Sequence, residues 1–395
     1  MRRRTWSREP EERPLRDVIG RRMGWILEGM TPRKFLNVAA CVAQYSFRSE
    51  RLLGWPIILK IDISPLCNLR CPTCVHGDPR GNPRLQDQSF RADQWMRLDQ
   101  FEDIISEIRG KSTAVSLYYL GDPLMHPHLC EMCRIAREAH LNVHLCTSFS
   151  FTLTDDQVRE LVKSGITHLT VCVDGLSQAK YELTRAGGHA DWVLSNLERT
   201  CLFRRDRRQA HPRVEVQYIM FRHNVEELEP AARRFEALGV DEVTAFWGAL
   251  HNYTDLDPGT YKVYGPRRRR ALPWCYWPYL FMLIKYNGDV IPCCNHRVGA
   301  QYSAATDPRV IGNVFETSVR QVWNSREYRE LRRLALNPGL IRSNEALESA
   351  FCNECPRLFN TSRDENLRSG HVYAFEDLYR VGENGVTRRL RVPEN

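Results

Sequence analysis

The chain has 395 residues, of which 43% are hydrophobic and 26% charged, an ordinary soluble composition with room for two or more domains. It holds 14 cysteines, yet Met1-Arg2-Arg3-Arg4 opens no apolar signal segment, so metal ligands in a reducing cytoplasm are expected rather than disulfides. The net charge of +8 comes largely from arginines, as at 2–4 and 267–270; with no nucleic-acid motif beside them they read as a solvated surface. No apolar run reaches a membrane span, the best being residues 277–284.

Residues 1–53 form a basic leader whose second half reads as a helix. Thr31 is its N-cap and Pro32 its first position. Phe35, Leu36, Val38, Ala39 and Val42 supply an apolar stripe expected to dock on the main domain, with Cys41 as a core thiol. Residues 54–250 then alternate strand and helix patterns. Strands are expected at 55–63, 115–120, 143–147, 168–173, 214–221 and 242–246, and helices at 129–139, 155–163, 192–205 and 226–238. This rhythm predicts βα units around a parallel sheet. Residues 251–273, with Asp257-Pro258-Gly259 and four arginines, read as a linker. A second cysteine-bearing domain occupies 274–358, and a charged tail, expected to be partly disordered, closes the chain at 359–395.

Cys67, Cys71 and Cys74 follow the first strand with the spacing C-x3-C-x2-C. Three thiolates on one short loop suit three irons of a [4Fe–4S] cube, leaving the fourth iron open to a small chelating molecule. A structural zinc site would normally take four protein ligands. Cys130 and Cys133 lie on one helix at i and i+3 and read as packing; Cys146 and Cys201 read as buried thiols.

The cysteine loop resembles the signature of the radical S-adenosylmethionine (SAM) superfamily. The resemblance implies an α/β fold with a partial (β/α)6 TIM-like barrel. It also implies that the open iron binds SAM, whose reductive cleavage yields a 5′-deoxyadenosyl radical. Tyr118-Tyr119-Leu120-Gly121-Asp122-Pro123 resembles the family's G-G-E-P segment, which implies SAM contacts from Gly121, Asp122 and Pro123. Ser148 stands where the family often has asparagine. Cys172 and Asp174 match its S-x-D-G segment, with cysteine for serine. Arg185 matches an arginine suited to the SAM carboxylate, and Gln217 and Asn224 match further common positions.

Downstream, Cys275, Gly288 and Cys293 have the pattern C-x12-G-x4-C, and Cys352 and Cys355 a later C-x2-C. These, with Ile311-Gly312-Asn313-Val314 and a helix over 318–333, resemble the SPASM/twitch extension of radical SAM enzymes. The resemblance implies one auxiliary [4Fe–4S] cluster on Cys275, Cys293, Cys352 and Cys355, with Cys294 as a stand-in for Cys293. A zinc ribbon is the competing use of the same four thiols. The implied function is hydrogen abstraction from a small-molecule, sugar- or cyclitol-like substrate that is then oxidised or rearranged. The reducing partner would be a flavodoxin or ferredoxin. A peptide maturase is the enzymatic alternative, and a metal-stabilised nucleic-acid scaffold the non-enzymatic one. No catalytic acid or base is assigned.

Overall fold

In the computed structural model the described residues are 3–5, 24, 26–72, 74, 76–77, 93–221, 223–247, 275–293, 310–337, 340, 352, 379–381 and 387–389. The expected linker at 251–273, Cys294 and Cys355 lie outside them.

Six parallel strands form the centre: β2 (Ile58–Ile61), β3 (Ala114–Ser116), β4 (Asn142–Thr147), β5 (His168–Cys172), β6 (Arg213–Met220) and β7 (Glu242–Trp247). They pair in chain order, the arrangement of successive βα units. The short strand β1 (Arg3–Thr5) joins the β7 edge in parallel. On the other edge β8 (Phe281–Ile284) lies parallel to β2, and β9 (Val290–Ile291) returns antiparallel. The second cysteine region therefore begins as a hydrogen-bonded extension of the barrel sheet.

The helices begin where the expected signals stand. α1 (Pro32–Ser46) is capped by Thr31, whose hydroxyl accepts the Lys34 amide at 3.3 Å. α2 (Leu98–Ile108), absent from the sequence-based expectations, buries Phe101, Ile104, Ile105 and Ile108 at helical spacing. α3 (Leu129–Glu138), α4 (Asp155–Lys163), α5 (Gln178–Glu182), α6 (Ala190–Asp206) and α7 (Leu228–Leu238) complete the barrel, with α5 also unforeseen. Beyond it come α8 (Trp277–Leu280), α9 (Val319–Trp323) and α10 (Arg326–Leu336).

The strands alternate in character, and this sets up the site. Leu59, Ile61, Val115, Val143, Leu145, Leu169, Val171, Val214 and Val216 join helix residues such as Phe101, Met132, Val193 and Phe235 in one apolar core. The intervening positions are polar: Lys60, Asp62, Ser116, Tyr118, His144, Cys146, Thr170, Cys172, Glu215 and Gln217. A parallel sheet covered by apolar layers on both faces would read as unbroken hydrophobic runs. Period-two alternation instead assigns one face to the core and the opposite face to polar groups.

Three expectations change. α1 docks, but through only part of its apolar stripe: Phe35 and Leu36 are 61% and 67% exposed, whereas Val38 packs with buried Cys41 against Ile57, Ile58 and Ala114. Lys34 Nζ donates to the His140 carbonyl at 2.5 Å, and Asn37 donates to the carbonyls of Trp55 and Lys111 at 3.1 Å each. Loop carbonyls that need donors, together with this small apolar contact, select the docking face. The helix expected over 318–333 is two helices, because Asn324 leaves the helical path to exchange hydrogen bonds with Leu52. Ser325 then caps α10 by accepting the Tyr328 amide at 3.2 Å. The tail contributes an antiparallel strand pair, β10 (Tyr379–Val381) and β11 (Thr387–Arg389). Among the described residues no helix is long and apolar enough to cross a membrane.

Candidate active site

The β2 strand delivers the first cysteine loop to the C-terminal edge of the sheet, where sites form in barrels of this type. Two backbone contacts hold the loop in place: Arg70 N donates to Ala186 O at 2.9 Å, and Asp122 N donates to Leu66 O at 2.8 Å. At Gly121 the packing leaves no room for a side chain. A Cβ there would stand 2.2 Å from Ser64 O and 2.4 Å from Leu66 O. The Gly121-Asp122-Pro123 segment is thus locked against the loop, and β3 stops at Ser116 because the chain bends to reach it.

Cys71 is buried, while Cys67 and Cys74 are half-buried, and none is in a disulfide. Burial pushes the Cys67 thiol up, with nearby Asp122 adding to the shift. Cys71 is pushed up to about 12 by burial, opposed by Arg185, which hydrogen-bonds its sulfur. Three thiolates crowded here are stable only if a metal centre holds them, since coordination ionises a thiol outright. Three cysteines on one loop are one ligand short of the four that a structural zinc site normally takes, and they match the three thiolates of a cluster with one open iron. The amide of Leu69 also points at Cys67 Sγ, at 3.5 Å, the N–H···S contact that tunes such centres.

Asp122 is engaged by protein donors. Its carboxylate accepts Thr147 Oγ1 at 2.8 and 2.9 Å, the Ser148 amide at 2.7 Å, Ser148 Oγ at 2.8 Å and the Leu124 amide at 3.1 Å. Burial still pushes its carboxyl up. Pro123 opens the single 3₁₀ turn Pro123–Met125 that Asp122 caps. The interactions seen for Gly121, Asp122, Pro123 and Ser148 tie the ends of β3 and β4 to the cysteine loop.

Asp174 and Arg185 form the second constellation. Arg185 Nε donates to Asp174 Oδ2 at 2.6 Å, and Asp174 Oδ1 accepts the Ile219 amide at 2.9 Å. Asn224 closes the turn by donating to the carbonyls of Asp174 and Ile219 at 2.7 and 2.9 Å. Arg185 therefore stands between the end of β5 and Cys71. Cys172 lies beside it, 3.5 Å from Cys146. Cys146, expected as a buried thiol, is half-buried; Cys201, Cys130 and Cys133 pack as expected.

Sequence reasoning passed over the polar face itself. Ser116 Oγ meets His144 Nδ1 at 3.0 Å, His144 Nε2 meets Thr170 Oγ1 at 2.9 Å, and Thr170 Oγ1 reaches Glu215 Oε2 at 3.3 Å. This ladder crosses four neighbouring strands. Lys60 Nζ lies 4.0 Å from the centre of the Tyr118 ring. Asp62, wholly buried, accepts the Leu120 amide at 3.2 Å through Oδ1, while Oδ2 has no hydrogen-bond partner. Burial raises its carboxyl to about 7. Lysine and aspartate spaced by two within an apolar strand were the available signal.

The second cysteine group gathers around α10. Cys275 N donates to Ala335 O at 3.0 Å, and Tyr328 lies in the electrostatic reach of Cys293 and Cys352. The hairpin bearing Cys293 turns at Asn287-Gly288, where Gly288 has φ 85° and its amide donates to Lys285 O at 2.9 Å. The segment Ile311-Gly312-Asn313-Val314 covers that hairpin: Val290 N donates to Gly312 O at 2.8 Å and Asn313 Nδ2 to Asp289 Oδ1 at 3.0 Å. Arg332, buried, donates to the carbonyls of Pro278, Glu50 and Trp323 at 3.0, 2.9 and 2.6 Å. Cys74, Cys293 and Cys352 pack against one small apolar cluster of Tyr119, Leu120, Leu283, Ile291 and Leu331. The two cysteine groups thus share a packing partner in this cluster.

Residues 61–202 match the model of the radical SAM superfamily, and residues 275–356 match the SPASM iron–sulfur cluster-binding domain. The chain belongs to the radical SAM superfamily and carries a C-terminal SPASM domain. It is an enzyme class whose cofactors are a [4Fe–4S] cluster, SAM and auxiliary iron–sulfur centres. Among curated relatives, it is 22% identical over 310 residues to the tungsten-containing aldehyde ferredoxin oxidoreductase cofactor-modifying protein of Pyrococcus furiosus. That match covers 71% of this chain and 84% of the relative. It is 21% identical over 326 residues to the AdoMet-dependent heme synthase of Methanosarcina barkeri, covering 72% and 85%. Among solved structures, SuiB of Streptococcus suis superposes with a TM-score of 0.54 at 15% identity, covering 75% of this chain and 72% of SuiB. SuiB has also been solved bound to SAM and to its precursor peptide SuiA.

Proposed function

We propose that this chain uses Cys67, Cys71 and Cys74 to hold the SAM-cleaving cluster and abstracts hydrogen from a hydroxylated, sugar- or cyclitol-like small molecule. When bound, the cluster and SAM supply the 5′-deoxyadenosyl radical. The observation that carries the substrate class is the polar face of the sheet. Lys60, Ser116, His144, Thr170 and Glu215 put hydrogen-bonding side chains on that face, the kind of lining a hydroxylated ligand would need. Asp62, with a carboxyl poised near 7, is placed to exchange a proton there. Arg185 is the side chain we assign to the SAM carboxylate, since its fork already bridges the cysteine loop and the β5 end. Cys275, Cys293, Cys352 and Cys355 are assigned to one auxiliary cluster, with residues 274–358 as its domain. The shared apolar cluster gives a path for an electron between the two centres. A flavodoxin or ferredoxin in a reducing cytoplasm would supply the first electron.

The test uses the anaerobically reconstituted chain with SAM and a low-potential reductant. Extract fractions holding small polar molecules are compared with fractions holding peptides. Stimulation of 5′-deoxyadenosine formation by the small-molecule fraction supports the assignment. Stimulation by peptides alone, in the manner of SuiB with its precursor peptide, would replace it with peptide maturation.

A further inference from the structure

Two sulfurs on the polar face have been given no chemical role so far. Cys146 on β4 and Cys172 on β5 stand with their Sγ atoms 3.5 Å apart, a hydrogen-bonding separation for sulfur. The neighbours are not alike in exposure: Cys146 is half-buried, while Cys172 is only 7% exposed. The pair lies among the groups that frame the first cluster. Lys60 and Arg185 reach Cys146 electrostatically, and Arg185, Asp174 and Asp122 reach Cys172. Arg185 also hydrogen-bonds Cys71, so one guanidinium separates this pair from the cluster loop. The hydrogen bond between the sulfurs polarises them. It raises one thiol of the pair and lowers the other, so the two sulfurs share one proton, and Cys146 is the more exposed of the two.

We propose that Cys146 is the hydrogen-atom donor of this enzyme and that Cys172 stabilises the sulfur radical left behind. The inference rests on the radical SAM reading of the site and selects between its two outcomes, favouring rearrangement or inversion at carbon over net oxidation. The chemistry follows from the bonds involved. An S–H bond is weaker than an aliphatic C–H bond, so a carbon radical on the polar face takes hydrogen from Cys146 downhill. The S–H bond breaks, a C–H bond forms, and a thiyl radical remains. A filled lone pair of Cys172 Sγ, already in contact, shares the unpaired electron across the two sulfurs. One electron from a reduced iron–sulfur cluster and one proton from solvent restore the starting thiol. Atoms and electrons then balance, with no oxidant consumed.

An S–H proton exchanges with water and a C–H proton does not, which gives a test without a known substrate. The reconstituted full chain, with SAM alone and a thiol-free reductant, is run in deuterium oxide. Wild type is expected to release 5′-deoxyadenosine heavier by one deuterium. Cys146→Ser, which keeps a polar side chain of similar size, is expected to release it with deuterium at background. Cys130→Ala, on the remote face of α3, is expected to match wild type. Unlabelled nucleoside from wild type, or label persisting in Cys146→Ser, overturns the assignment. Absence of any 5′-deoxyadenosine overturns the radical SAM reading beneath it, so the two failures are distinguishable. Label lost in Cys146→Ala but retained in Cys146→Ser identifies a packing role and also overturns it.

Discussion

The two cysteine groups reach their positions by opposite routes. Cys67, Cys71 and Cys74 belong to one loop after one strand, and short-range packing of Gly121 and the Asp122 amide fixes that loop. Cys275, Cys293 and Cys352 come from separate segments that all reach α10, Cys275 through Ala335 and the other two near Tyr328. Arg332 at the heart of that arrangement joins the leader, α8 and α9 through three carbonyls. The cysteines of the first site are local in sequence and those of the second are not. Loss of a first-site cysteine should remove its chemistry, whereas loss of Arg332 beneath the second should disturb the fold.

The largest expected effect separates the two centres. Cys71→Ala should reduce 5′-deoxyadenosine formation by about a thousandfold or more while leaving auxiliary iron in place. Cys352→Ala should do the reverse, losing auxiliary iron but retaining SAM cleavage. Iron counting with product assay on both variants checks this. Equal loss of both activities in both variants would break the comparison.

Next comes Arg332→Met, which leaves the Pro278 and Trp323 carbonyls without this buried donor and frees that of Glu50. Each buried orphan costs about 1–3 kcal/mol, so denaturant unfolding should show a loss of at least about 2 kcal/mol. Gly121→Ala should cost about 1–3 kcal/mol through forced backbone displacement, and its iron loss should be confined to the first site.

A pH dependence gives a further test. Burial raises the Asp62 carboxyl from 3.8 to about 7, so the folded chain binds a proton that the unfolded chain has released. This contribution to stability is present below pH 4 and is lost as pH rises toward 7. Asp62→Asn keeps an acceptor for the Leu120 amide without the titration. Its stability relative to wild type should rise by about 1.4 kcal/mol per pH unit across that window. Parallel curves for the two proteins would remove Asp62 from the site.

The same contrast explains what was legible in the sequence. The loop motif, the Thr31 cap and the Asn287-Gly288 turn each depend on a few adjacent residues. The strands of the barrel were found for the same reason. The docking face of α1 was only partly legible, because it also depends on carbonyls at Trp55, Lys111 and His140 that only the folded chain presents. The break between α9 and α10 depends on Leu52, remote in sequence. The polar face was written in the strands as lysine, aspartate, histidine and glutamate at every second position. It carried no meaning until hydrogen bonds from strand to strand put those residues on one side.

The central claim is that SAM binds at the cluster held by residues 67, 71 and 74. Electron paramagnetic resonance of the reduced, reconstituted chain, recorded with and without SAM, tests it most directly. The account predicts that SAM alters the cluster signal in wild type and in Cys352→Ala, and that the response is gone in Cys71→Ala. A spectrum indifferent to SAM in wild type, or a response that survives in Cys71→Ala, would contradict it.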